Sequence, residues 1–91
     1  MLFALICEDK ADSEALRKAT RDDHLAYVGN FDVQLAGPML DDDQETMIGS
    51  IIILETENLA AAQAFADQDP YALAGLFERV TIRPFRRVIG G

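Results

Sequence analysis

Two apolar runs dominate the chain, Leu2 to Cys7 and the Ile51-Ile52-Ile53-Leu54 centre of a segment from Met47 to Thr56, and neither alternates with polar residues. An unbroken run of this length is the pattern of a strand covered on both faces, so both segments are predicted inside a sheet. From Ser13 to about Val28 the sequence lacks glycine and proline and reads as a helix, with Asp12 or Ser13 as N-cap and Gly29 as the stop. At helical spacing Leu16, Ala19, Thr20 and Tyr27 share one stripe, predicted to face the core, while Lys18 and Asp22 point away. Phe31 to Gly37 is a short strand, and Gly37-Pro38 with the acidic stretch after it a loop, because proline cannot continue a ladder. Asn58 caps a second helix, LAAAQAFADQ, which ends before Asp69-Pro70. A turn and a short third helix follow, and the last strand runs from about Leu76 to Val88, with Pro84 placing it at an edge.

The order βαββαβ with right-handed crossovers predicts an α+β domain of ferredoxin-like topology. Its four antiparallel strands are ordered 4-1-3-2, and both long helices lie on one face. The opposite face would leave apolar side chains of the first and third strands in water, and a second copy of the sheet is the simplest cover. The chain reads as a single domain over residues 1–91, without internal repeat or linker. At 91 residues it buries too little surface to be comfortable without tight packing or a partner. A homodimer follows from both arguments.

Charge narrows the partners. The formal net charge is −8, and no lysine or arginine stands between Asp22 and Glu78. Such a surface repels a phosphate backbone, so nucleic acid is not an expected ligand, although the scattered basic residues can gather round one small anion. No apolar run approaches the roughly 18 residues of a membrane span, and MLFALIC, followed at once by Glu8 and Asp9, is wrongly flanked for a signal peptide. A cytoplasmic location is expected. The single cysteine, Cys7, lies within an apolar run and reads as an inert buried thiol.

His24, the one histidine, is the first candidate for proton transfer, being the only side chain here whose ordinary pKa lies near neutrality. It sits at the border between the apolar stripe and a basic row of Arg17 and Arg21, cations that oppose a positive imidazole and attract an anion. Asp69-Pro70-Tyr71 joins an acid, a rigid turn and an aromatic with a polar tip. Read plainly, it is an N-cap followed by proline at the first helical position; read functionally, Asp69 orients His24. Gly49-Ser50 opens the third strand, where a glycine allows close approach and a hydroxyl can meet a ligand, or where a bulge simply sits. Asp41-Asp42-Asp43 lacks the alternation of a calcium loop, no metal-ligand spacing is present, and neither a dinucleotide pattern nor a phosphate loop occurs. No cofactor is expected.

Taken in order, Arg21-Asp22-Asp23-His24-Leu25, Ala36-Gly37-Pro38, Gly49-Ser50, Asp69-Pro70-Tyr71, Ala74-Gly75 and Arg83-Pro84-Phe85-Arg86 resemble the YCII-related domain family over almost the whole chain. The resemblance implies a dimeric α+β barrel type of fold and a site centred on a histidine and an aspartate, which fall here on His24 and Asp69. One branch of the family resembles dehydrochlorinases of chlorinated hydroxyhydroquinones, and nothing in this sequence marks it as that branch. In simple βαββαβ topology the two residues could lie at different ends of antiparallel helices, meeting only if the third helix folds back or if they join across a dimer. The expected function is a small lyase- or isomerase-type enzyme acting on an anionic or phenolic substrate. His24 and Asp69 would be catalytic, and Arg21, Ser50, Pro70 and Tyr71 would bind the substrate. The alternative is a non-catalytic homodimer that holds a small ligand or regulates through it.

Overall fold

The computed structural model describes residues 1–90. Strand β1 (Leu2–Asp9) is followed by helix α1 (Glu14–Val28), strands β2 (Val33–Leu40) and β3 (Met47–Glu55), helix α2 (Leu59–Gln68), the short helix α3 (Pro70–Leu73) and strand β4 (Phe77–Phe85). The four strands form one antiparallel sheet in the order β2-β3-β1-β4, the predicted 4-1-3-2. The helices cover one face of it, and the architecture is that of the dimeric α+β barrel proteins.

Because side chains alternate along a strand, the register sorts residues cleanly between the two faces. Phe3 pairs with Leu54 and Pro84, Leu5 with Ile52 and Ile82, and Cys7 with Ser50 and Val80. Phe3, Leu5, Cys7, Ile52 and Leu54 are buried beneath the helices together with Ala62, Phe65 and Ala66. The other face carries Leu2, Ala4 and Ile6 beside Ile53 and Ile51, and at its rim Ile51, Leu35 and Phe85 remain exposed. The residues after β4 lie on this same face, where Arg87 donates to Gln34 on β2 and Ile89 shares a shallow groove with Leu35, Ile51 and Ile53.

Four sequence expectations need correcting. β2 does not stop at Gly37: it runs through Pro38 to Leu40, with Pro38 opposite Ser50, because β2 is an edge strand where a missing N–H is harmless. Helix α1 is rotated from the predicted stripe. Leu16 and Ala19 are exposed, and the buried residues are Arg17 and His24, with Tyr27 and Val28 partly buried and packed on the core. Gly29 ends α1 in the right-handed region, so its freedom at positive φ is not what terminates the helix. β4, for its part, ends at Phe85, short of the predicted Val88.

Gly49 is where a side chain cannot be added. A Cβ there would lie 2.4 Å from the carbonyl oxygen of Cys7 and 2.4 Å from Met39 Cε. The methionine can move, but the β1 backbone cannot without breaking the ladder. Gly49→Ala is expected to destabilise the domain by about 1–3 kcal/mol, as overpacking does, and urea denaturation measures it. Leu5→Ala, which empties a fully buried position, should cost about 2–5 kcal/mol.

Candidate functional site

Side-chain size falls along the helix-covered face of the sheet. The row Phe3, Leu54 and Val33 is bulky; Leu5, Ile52 and Ala36 are intermediate; Cys7, Ser50 and Pro38 are small. Where the small row passes beneath α1, helix and sheet do not close on one another. The result is a cavity of about 240 Å³ between α1 and the β2–β3 edge, reached by Arg17, Arg21, His24, Ser50, Met47 and Tyr71.

One of its wall residues, Arg17, forms a buried ion pair. Arg17 Nε donates to Asp9 Oδ2 at 2.7 Å and Nη2 to Asp9 Oδ1 at 2.8 Å, a two-pronged contact at the end of β1, and Nη2 also reaches Ser50 Oγ at 3.0 Å. Both partners are almost completely buried. Burial by itself pulls the Arg17 pKa down, but the hydrogen bonds and negative charge of Asp9, with the nearby Tyr71 phenol, outweigh it and leave it above the ordinary value. The guanidinium lies over the Tyr71 ring at 4.6 Å.

The other face of the site is an imidazole held in place. His24 Nδ1 lies 2.8 Å from Asp69 Oδ1, both groups buried. A carboxylate only accepts, so Nδ1 carries the proton and a neutral imidazole keeps its lone pair on Nε2. The ring stacks on Tyr71 with centroids 4.0 Å apart and planes inclined by 16°. Asp69 Oδ1 also accepts the Tyr71 backbone N–H at 2.9 Å, which is the N-cap of α3. Pairing occurs within one chain: α3 turns back from the end of α2, packs against α1, and returns to β4 through Gly75 at φ +77°.

Of the residues proposed from sequence, the structure gathers His24, Arg21, Ser50 and Tyr71 around the cavity and sets Asp69 directly behind His24. Pro70 is not part of the cavity wall; it occupies the first turn of α3 and fixes the direction in which Tyr71 leaves Asp69. Arg21 is exposed, and its Nη2 contacts Met47 Sδ at 3.3 Å. Two residues escape sequence reasoning in their actual roles: Asp9 enters it only as an acid that follows the first apolar run, and Arg17 only as half of a basic row with Arg21. The available signal was spacing: Arg17, His24 and Val28 recur at intervals of seven and four, a helix face that looked too polar to be buried.

The model of the YCII-related domain matches residues 1–86. The chain belongs to the YCII-related family. It is 40% identical to Protein YciI of Escherichia coli O6:H1 over 97% of this chain and 99% of that protein. It is 33% identical, with the same coverage, to an uncharacterized protein of Haemophilus influenzae. Among solved structures it resembles the 5-chloro-2-hydroxyhydroquinone dehydrochlorinase TftG of Burkholderia phenoliruptrix AC1100, determined in complex with 2,5-dihydroxybenzoquinone. That likeness has a TM-score of 0.86 and 30% identity over 94% of each chain. A candidate antibiotic biosynthesis monooxygenase of Nitrosomonas europaea shares the fold at a TM-score of 0.50 and 16% identity, covering 92% of this chain and 96% of that one. Among the described residues no cluster of three or more metal-ligating side chains occurs, and no helix is long and apolar enough to cross a membrane.

Cys7 lies on the same sheet row as Ser50 but belongs to the core. Burial, and then the charge of Asp69, push its thiol up to about 12. At pH 8 the native protein should therefore resist iodoacetamide for hours and react within minutes once unfolded in urea, as mass spectrometry will record.

Proposed function

We propose that the chain is a small proton-transferring enzyme of lyase or isomerase type acting on an anionic or phenolic substrate bound in the α1–sheet cavity. The observation that carries this reading is the buried 2.8 Å contact between His24 Nδ1 and Asp69 Oδ1. It leaves Nε2 as the basic nitrogen of a residue that lines the cavity. A general base needs a defined tautomer, a lone pair within reach of the substrate, and a partner that stabilises the imidazolium formed. Asp69 supplies the first and third of these. Arg21 at the mouth adds positive charge in a chain of net charge −8, and Ser50 and Tyr71 contribute polar atoms to the wall.

Likeness to TftG supports a substrate in the class of hydroxylated rings. For 5-chloro-2-hydroxyhydroquinone, the substrate in that enzyme's name, loss of a proton together with departure of chloride bearing the carbon–chlorine electron pair balances without an oxidant. No cofactor enters this chemistry.

The working form is a homodimer in which the helix-free sheet face is covered. Ile51, Leu35 and Phe85 stand exposed around Leu2, Ala4, Ile6 and Ile53 on that face, an apolar surface that a second sheet would remove from water. A single buried, unpaired cysteine suits a reducing compartment, in keeping with a cytoplasmic enzyme.

Light scattering should give a mass of about 20 kDa, twice that of the 10.0 kDa chain, at micromolar concentration, and a monomer mass would remove the dimer from this reading. Chloride release from 5-chloro-2-hydroxyhydroquinone, or exchange of acidic ring hydrogens of related hydroxyquinones with deuterated water, reports turnover. His24→Ala should lower it by about 10²–10⁴-fold with ligand binding kept. Asp69→Asn should lower kcat, and imidazole ¹⁵N shifts should show a mixture of tautomers in place of Nδ1–H alone. Turnover unaffected in both variants removes the catalytic assignment, while binding lost without any turnover in the wild type would favour a non-catalytic ligand-binding dimer.

A further inference from the structure

The segment that follows β4 is apolar and yet turned to water. Val88 and Ile89 are 84% and 93% exposed, the highest values among the described large apolar side chains. Among the described residues, no backbone hydrogen bond outside the strand ladders involves residues 86–90, and Arg87 touches β2 through one side-chain bond to Gln34. Ile89 borders the groove formed by Leu35, Ile51, Ile53 and Phe85 without filling it, since Leu35 keeps 67% of its surface and Ile51 and Phe85 40% each. The chain exposes 5819 Å² in all, against about 5,200 Å² for a folded monomer of 10.0 kDa. That surplus, roughly 600 Å², approaches the ~800 Å² that each partner loses in a standard interface.

We propose that this C-terminal segment is a clasp between two copies of the chain, with Val88 and Ile89 of each seated in the Leu35, Ile51, Ile53 and Phe85 groove of the other. The inference rests on the homodimer of the proposed function and is independent of its proton chemistry. Groove and segment lie on the same face of the same chain, so one two-fold stack of the helix-free faces satisfies both: what each copy offers, the other takes. Residues 86–90 reach about 17 Å when extended, more than the ~10 Å between stacked sheets. Left against its own sheet, the segment keeps both aliphatic side chains in water; exchanged, it removes them together with the groove walls. Charge does not oppose the approach, although the chain carries −8. On this face Glu8 is bonded to Arg79 and Glu55 to the N-terminal amine, and Arg83 stands opposite Ala4. Acidic residues in excess lie elsewhere, at Asp22 and Asp23 on α1 and Asp41 to Asp43 in the β2–β3 hairpin. Two such faces meet with little like-charge repulsion.

Analytical ultracentrifugation of the full chain gives the dimer dissociation constant. Ile89→Asp and Leu35→Asp should each raise it by at least about 100-fold. Far-UV circular dichroism should not change, because neither residue belongs to the core beneath the helices. Ile89→Ala combined with Leu35→Ala should cost less than the product of the two separate effects, as residues in contact do. Which chain the segment seats on is read by crosslinking. A chain carrying both Leu35→Cys and Ile89→Cys, oxidised with diamide, should run at about 20 kDa on a non-reducing gel, twice the 10.0 kDa of one chain, and the buried Cys7 does not compete. A disulfide closed within one chain, thiols that stay free, or a wild-type dimer that Ile89→Asp leaves equally tight overturns the clasp while the dimer stands. A wild type that sediments as a monomer overturns both, and the turnover of His24→Ala bears on neither.

Discussion

A guanidinium buried beneath a helix is the constraint from which the site follows. Arg17 could snorkel to solvent if α1 were rotated, and the rotation would bury Leu16 and Ala19 instead, which is what apolar patterning alone favours. Burying a leucine is worth about 1.5–3 kcal/mol, whereas a buried ion pair is at best neutral against apolar replacements. The observed orientation therefore sacrifices some stability. Once Arg17 is inside, Asp9 cannot be dispensed with, since a buried charge stripped of its partner costs about 3–5 kcal/mol. His24, two turns further along, is carried to the same face. A fold that accepts polar residues in place of apolar ones on its core-facing helix stripe is expected to do so at a functional site.

The sheet contributes the space. Its helix-covered face is bulky where β1 meets the core of α2 and small where Cys7, Ser50 and Pro38 lie in register, so the cavity is a consequence of residue size along one row rather than of a flexible loop. Rigid elements hold every polar group that lines it: α1 supplies Arg17, Arg21 and His24, β3 supplies Ser50, and the capped first turn of α3 supplies Tyr71. Positions on such elements vary less than positions on loops, which is what the proposed proton transfer, tolerant of little misplacement, would require.

Much of this was legible in the sequence, for reasons that differ by element. The unalternated runs of β1 and β3 put both strands inside the sheet, and Pro84 put β4 at its edge; with right-handed crossovers these fix the strand order. Pro38 misled because an edge strand tolerates the residue that ends an interior one, and edge status depends on the whole sheet. The rotation of α1 was hidden for a related reason. Periodicity ranks faces by apolar content, and here the buried face is paid in polar groups whose partners, Asp9 and Asp69, lie 8 and 45 residues away. Whether His24 and Asp69 meet within one chain depends on how a four-residue helix packs against α1, and no local pattern encodes that.

Asp69 shows why a structural and a functional reading of the same motif need not compete. Its Oδ1 accepts the Tyr71 N–H, which starts α3, and also the imidazole Nδ1–H. One oxygen thus ties the direction of the Tyr71 ring to the orientation of the ring stacked on it. If α3 frayed, the cap would loosen, the Tyr71 platform would tilt, and the imidazole would lose its stacking partner along with its hydrogen bond. An asparagine at this position can still cap through its amide oxygen, but it carries no charge to stabilise an imidazolium. Cap strength and proton affinity are therefore separable at Asp69 even though a single atom serves both. The two roles would diverge under substitution: the helix would persist while the proposed chemistry declined.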